Sequence, residues 1–165
     1  MSGRPQRLPD FSYIGLHRYF LTFCTYQRNK LFTDAGIVAE AIGQIRHIAA
    51  SYGFAVVAYC FMPDHLHWLV VGIDEASDLV AFAHAVKQQT AYKYRQRHNG
   101  VLWQKGYYEH IVRENEAVLA IAKYIFENPV RAGLVSEPHD YPFSGSFELT
   151  RAQVDELWQM DDLAW

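Results

Sequence analysis

Two histidines two residues apart, His65 and His67, open a hydrophobic run that continues Trp68-Leu69-Val70-Val71. A Met62-Pro63-Asp64 turn separates them from an earlier apolar run, Tyr59-Cys60-Phe61. If the run after the turn is a β-strand, residues two apart point to one face. His65 and His67 then present their imidazoles side by side, while Leu66 and Trp68 turn away. Such a pair can hold a divalent metal. A strand that merely carries two histidines has the same spacing, so the pair alone decides nothing. Further along, Tyr124 and Asn128 stand four residues apart, on one face of a helix if that segment is helical. A tyrosine hydroxyl, with an ordinary pKa of about 10, is a weak nucleophile until its electrophile is activated. A metal that polarises a phosphate oxygen supplies that activation. The amide oxygen of Asn128 could complete the metal site. A core-packed tyrosine and a helix-capping asparagine would have the same spacing.

These residues need particular elements beneath them. Residues 1–10 form a basic arm with Pro5 and Pro9. Residues 18–26, rich in aromatic and β-branched side chains, predict a strand. Thr33 or Asp34 can cap a helix to about Tyr52, with apolar positions at helical spacing from Ile37 to Ala49 and Gly53 as its stop. Residues 54–61 and 65–71 predict two strands around the Met-Pro-Asp turn. Asp78 can cap a helix over 79–97 that Asn99-Gly100 ends. Residues 107–113 alternate as a fourth strand, and Glu114 or Asn115 opens a third helix, which Pro129 is expected to stop. Residues 138–146 predict a loop, and residues 152–165 a short acidic helix. The order strand-helix-strand, strand-helix-strand, helix predicts an α+β fold: a ferredoxin-like (RRM-like) βαββαβ antiparallel sheet with an added C-terminal helix carrying Tyr124. One domain over 1–150 with an acidic tail over 151–165 is expected. Such a fold hosts many functions and does not choose among them.

The chain has 165 residues, half of them hydrophobic and 20% charged, as a globular domain with a core requires. No apolar stretch approaches the length of a membrane span, and residues 1–10 lack a signal peptide's apolar centre, so no membrane partner and a cytoplasmic location are expected. Cys24 and Cys60 have no metal-ligand spacing and read as free buried thiols. The net charge of −3 hides an asymmetry. Between Lys87 and Arg113 six basic residues face one acid, Glu109; from Leu134 onward seven acids face one base, Arg151. A solvated helix face would also account for the basic stretch.

Four blocks, in order, resemble one family. Met62-Pro63-Asp64-His65-Leu66-His67 resembles the Met-Pro-Asn-His-hydrophobic-His signature of HUH single-tyrosine transposases (the IS200-like family). Leu102-Trp103-Gln104 and the strand after it, Tyr124-Ile-Phe-Glu-Asn128-Pro129-Val-Arg131-Ala-Gly133-Leu-Val, and Asp140-Tyr141-Pro142-Phe143-Ser144 resemble blocks of its REP-associated branch. The resemblance spans nearly the whole chain. It implies that His65, His67 and Asn128 bind a divalent metal, Mg2+ or Mn2+, imidazole ligands suiting manganese better. It implies that Tyr124 attacks a phosphodiester of single-stranded DNA, leaving a 5′-phosphotyrosine link and a free 3′-hydroxyl, so that rejoining needs no ATP. Asp64 departs from the pattern, standing where the family more often has asparagine. A carboxylate there could help hold the metal or repel phosphate. The REP-associated branch acts on hairpin DNA and resembles a monomeric design; a dimer stays open.

Single-stranded or hairpin DNA as partner calls for a basic groove with aromatic platforms. Lys87, Tyr92, Lys93, Arg95 and Arg97 on the second helix, then Trp103 and Lys105, are the candidates. Arg4 and Arg7 of the N-terminal arm join them, as does Arg131 in the Tyr124 block. The rival expectations are a catalytically silent DNA- or RNA-binding protein that kept this fold, and a hydrolase that uses the histidines without a covalent step.

Overall fold

The computed structural model describes residues 7–113 and 117–159, with side chains to residue 156. Arg4 and the Glu114/Asn115 helix start therefore lie outside the described residues. Strands β1 (Arg18–Cys24), β2 (Phe54–Met62), β3 (His65–Gly72), β4 (Tyr108–Val112) and the short β5 (Ser144–Gly145) form one antiparallel sheet in the order β4-β1-β3-β2-β5. Helices α1 (Ala35–Tyr52), α2 (Leu79–Arg97), α3 (Val118–Arg131) and α4 (Arg151–Gln159) complete it. The first four strands give the expected βαββαβ order. The edge strand β5 was expected as loop; its two residues extend the sheet beside Tyr59 and Cys60.

Local chemistry explains the helix limits. The Asp34 carboxylate accepts from the Gly36 and Ile37 amides, and Asp78 accepts from the Ala81 amide, so both helices begin on a side-chain cap. Gly53 closes α1 at φ +71°, a conformation other residues adopt at a cost. Pro129 does not stop α3. It sits inside the last turn, and the helix runs on to Arg131. The stop is Gly133 at φ +72°: its amide donates to the Val130 carbonyl and that of Leu134 to the Pro129 carbonyl, the paired bonds of a Schellman motif. Asn128 thus keeps helical geometry one turn beyond Tyr124.

The sheet separates two cores. Tyr19, Leu21 and Phe23 of β1 and Leu66, Trp68 and Val70 of β3 pack under α1 and α2. Leu69, with Ala58, Cys60 and Met62 of β2, packs under Ile121, Ala122, Ile125 and Phe126 of α3. In β2 the parity changes at a bulge: Val56 pairs with Val70 and Ala58 with Leu69, leaving Val57 as the extra residue. By strict alternation His65 and His67 fall on the Leu69 face, the one that α3 covers.

Candidate functional site

His65 and His67 lie with ring centroids 4.5 Å apart and planes at 80°. Each ring is held through its Nδ1. That of His67 bonds the Thr22 hydroxyl at 2.8 Å, across the β1–β3 pair in which Thr22 and His67 are partners. That of His65 bonds Asp64 Oδ1 at 2.7 Å. The Nε2 atoms are therefore the nitrogens a metal would take; the Asp64 carboxylate fixes both tautomer and orientation of His65, and the Thr22 hydroxyl, able to donate or accept, fixes the orientation of His67. Burial pushes the pKa of His67 down to about 3, helped by His65, Arg28 and Arg131 nearby. Burial also lowers that of His65, against an opposing pull from Asp64. Both imidazoles are neutral near pH 7, with lone pairs available.

Phe20, next to Thr22 on the same face of β1, joins the two halves of the site. Its ring centroid lies 5.4 Å from that of His67 and 6.0 Å from that of Tyr124, edge-on to the tyrosine. Tyr124 sits half-buried at the flank of α3. Arg131 lays its guanidinium over the Tyr124 ring, 4.0 Å from the centroid, and donates to the Tyr124 carbonyl at 2.6 Å. Glu127 holds the same guanidinium at 3.2 Å. Asn128 donates Nδ2 to the Tyr124 carbonyl at 3.3 Å, so Oδ1 is the atom it would offer a metal. Among the described residues no three His, Cys, Asp or Glu side chains gather as a metal cluster. Among the described residues a third protein ligand would be of another kind, such as the Asn128 amide.

Asp64 is already engaged. Its Oδ1 holds His65 and its Oδ2 receives Arg28 Nε at 3.0 Å. Burial alone would raise its pKa, but the His65 hydrogen bond and the Arg28 charge outweigh that and lower it. The loop after β1 braces this turn. The amide of the buried Thr25 donates to the Asp64 carbonyl, its hydroxyl is shared between the Asn29 and Asp64 carbonyls, and the Phe32 amide donates to the Pro63 carbonyl. Sequence reasoning missed Phe20, Thr22, Thr25 and Arg28. A lone threonine in the aromatic strand Arg-Tyr-Phe-Leu-Thr-Phe-Cys was the available signal for Thr22; nothing local marked Arg28.

The candidate DNA contacts divide. A groove of about 700 Å³ between α2 and the 101–107 segment gathers Arg7, Lys87, Arg95 and Lys105 beside Gln88 and Tyr107. It opens on the α2 side of the sheet, away from the histidine pair. Arg7 is not a free arm, since it donates to the Tyr107 hydroxyl at 3.3 Å. Tyr92, 62% exposed, stands outside this groove, as do Lys93 and Arg97, the last paired with Glu40 at 3.3 Å. Two expectations need correction. Trp103 is 6% exposed, wedged against Phe23 and Phe32, with its indole N–H bonded to Thr90, so it offers no face to a base. Lys87 donates Nζ to the carbonyls of Gln104 and Gly106 and lies over the Phe23 ring, so its charge staples the loop. Tyr94, on the same helix, is buried in the same core.

An antiparallel βαββαβ sheet here sets a histidine pair beneath a tyrosine-bearing helix. The chain belongs to the family described as Transposase IS200 like, whose model matches residues 14–128. It is similar to a Haemophilus influenzae protein provisionally named REP-associated tyrosine transposase, 28% identical over 159 residues, covering 88% of this chain and 87% of that one. It is also similar to the REP-associated tyrosine transposase of Escherichia coli K12, 26% identical over 91 residues, 55% of this chain and 53% of the other. Among solved structures, a REP-associated tyrosine transposase bound to a REP hairpin matches with a TM-score of 0.68 at 22% identity, covering 84% of this chain and 81% of that one. A provisionally named transposase of Deinococcus radiodurans matches at 0.52 and 23% identity, covering 73% and 95%. At these identities the structural likenesses speak to fold. Among the described residues no helix is long and apolar enough to cross a membrane.

Proposed function

We propose that this transposase-family chain cuts and rejoins single-stranded DNA beside a hairpin, with Tyr124 as nucleophile. The observation that carries the reading is the contact of Phe20 with both His67 and Tyr124, which puts the histidine pair and the tyrosine on one face of one sheet. In cleavage, Tyr124 Oη bonds to phosphorus and its proton leaves to solvent; the P–O3′ bond breaks, and the leaving O3′ takes a proton from solvent, giving a 3′-hydroxyl and a 5′-phosphotyrosine. Attack by a 3′-hydroxyl reverses the step and restores the tyrosine. Arg131, stacked on the nucleophile's ring, orients it and places a cation beside the phosphate.

His65, His67 and Asn128 would hold a divalent metal, Mg2+ or Mn2+. The neutral imidazoles, each braced through Nδ1, fit that role, and manganese better than magnesium. When bound, such an ion acts as a Lewis acid on the phosphate. Arg7, Arg95 and Lys105 line a groove suited to a nucleic-acid backbone, and the REP hairpin carried by a structural relative makes a hairpin stem the fitting occupant. A monomer is the simpler assembly for a site whose nucleophile and histidine pair share one sheet face within one chain.

A labelled single-stranded hairpin incubated with the protein and Mn2+, then run on a denaturing gel, tests this. A covalent adduct lost in Tyr124→Phe is expected. Cleavage that persists in Tyr124→Phe would mean hydrolysis by water. Binding without cleavage, across several hairpins and both metals, would mean a catalytically silent binder.

A further inference from the structure

Asp64 has a partner that accounts for a carboxylate beside the histidine pair. The loop after β1 places Gln27 and Arg28 in succession at φ +53° and +56°, in the left-handed region that side chains other than glycine rarely adopt. Held there, Arg28 spans two groups: its Nε donates to Asp64 Oδ2 at 3.0 Å and a terminal nitrogen donates to Cys24 Sγ at 2.8 Å. The other carboxylate oxygen takes the His65 Nδ1–H at 2.7 Å. A continuous chain thus runs Cys24–Arg28–Asp64–His65. Its backbone is anchored separately by Thr25, whose amide donates to the Asp64 carbonyl and whose hydroxyl ties that carbonyl to the one of Asn29. Strain of this kind persists only where surrounding contacts over-determine it, and it collects at functional sites.

We propose that Arg28 and Asp64 are a paired positioning device for His65. The carboxylate fixes the proton on Nδ1 and aims Nε2 at the metal position, and the guanidinium fixes the carboxylate. Arg28 also matches the charge that Asp64 introduces, so the site gains a stronger outer acceptor than an amide without adding net negative charge where phosphate must approach. Arg28 acts only through Asp64. In a relative with asparagine at this position the carboxylate is missing and an arginine here would have no such role. The metal half of this inference rests on the proposed metal reading; the ring-orientation half does not.

Two measurements test it on the full chain. In the metal-free protein, long-range 15N–1H NMR correlations report which nitrogen of His65 carries the proton. Wild type should show the Nδ1–H form. Asp64→Asn keeps an acceptor and should preserve it, whereas Asp64→Ala should shift the ring toward Nε2–H. Mn2+ binding, followed by electron paramagnetic resonance of the free ion, supplies the second readout. Asp64→Ala should weaken it about tenfold or more, as loss of an outer partner does. Arg28→Gln should weaken it in the Asp64 protein and have no effect in Asp64→Asn, a dependence that a general loss of folding would not produce. An equal effect of Arg28→Gln in both backgrounds, or an unchanged tautomer in Asp64→Ala, overturns the pairing. If His65→Ala abolishes Mn2+ binding while the cycle is additive, only the positioning inference falls. If His65→Ala leaves Mn2+ binding intact, the metal reading falls with it.

Discussion

Acid should unfold the metal-free protein through His67 well before the carboxylates account for it. An imidazole in the unfolded chain takes its proton at about pH 6.5, whereas burial among Phe20, His65 and the α3 flank holds that of His67 near a pKa of about 3. Between these values the unfolded chain carries a proton that the folded one refuses, so stability falls as pH falls. The contribution is complete above about pH 6.5 and is lost progressively down to about pH 3. Each pH unit in that window costs about 1.4 kcal/mol. Lowering the pH to about 4.5 therefore removes roughly 2.7 kcal/mol, a large share of the 5–15 kcal/mol that holds a domain together. His65, shifted the same way by burial, adds to the slope. The assay is a urea unfolding series with a chelator present, from about pH 7 to 4.5. His67→Gln keeps a polar partner for Thr22 but cannot titrate, and its stability should fall less steeply by about one proton's worth. An identical slope in wild type and His67→Gln would refute the claim that burial keeps this ring neutral.

Other outcomes follow from the same geometry. Lys87→Met should lower stability by about 1–3 kcal/mol in thermal or urea melts, because two loop carbonyls lose their shared donor. Trp103→Phe should cost a similar amount, about 1–3 kcal/mol, through the lost indole–Thr90 hydrogen bond and lost volume, while hairpin affinity measured by filter binding stays at wild type. Arg95→Ala and Lys105→Ala should leave stability within about 0.5 kcal/mol. If the groove carries DNA, each should also reduce the salt dependence of hairpin binding by about one counterion. Arg131→Lys keeps the charge but loses the planar stack on Tyr124. It should slow adduct formation more than it weakens DNA binding, which single-turnover gels would resolve.

Much of the fold was legible because local chemistry and global architecture agree. Asp34 and Asp78 sit where caps are needed, Gly53 where a left-handed stop is needed, and the alternation of His65-Leu66-His67-Trp68 assigns faces without ambiguity. What escaped notice depends on contacts far apart in sequence. The strand Ser144–Gly145 is too short to carry a pattern and exists because β2 offers it an edge. Pro129 reads as a helix stop, yet in this last turn the closing bonds come from Gly133 and Leu134 instead. Trp103 and Lys87 have the composition of a nucleic-acid surface, but the space under the 101–107 segment takes the indole inward, and that segment's carbonyls capture the ammonium. In the candidate site, the histidines, Tyr124 and Asn128 were visible as residue types at telling spacings. Arg28 was not, since its approach to Asp64 depends on two left-handed residues that no sequence motif announces.

The bulge at Val57 has a consequence for how this chain tolerates change in length. Strand β3 is flanked by two unlike neighbours. Its pairing with β1 runs without irregularity from Arg18–Val71 to Cys24–His65, whereas its pairing with β2 already absorbs one surplus residue. A single-residue insertion or deletion in β2 can be taken up by moving or erasing that surplus. The same event in β1 would carry Thr22 and Phe20 to the wrong side of the sheet and leave His67 without its brace. Lineages of this domain should therefore accumulate length variation in β2 and hold β1 to a fixed count, which makes the regular strand the stricter ruler for the site.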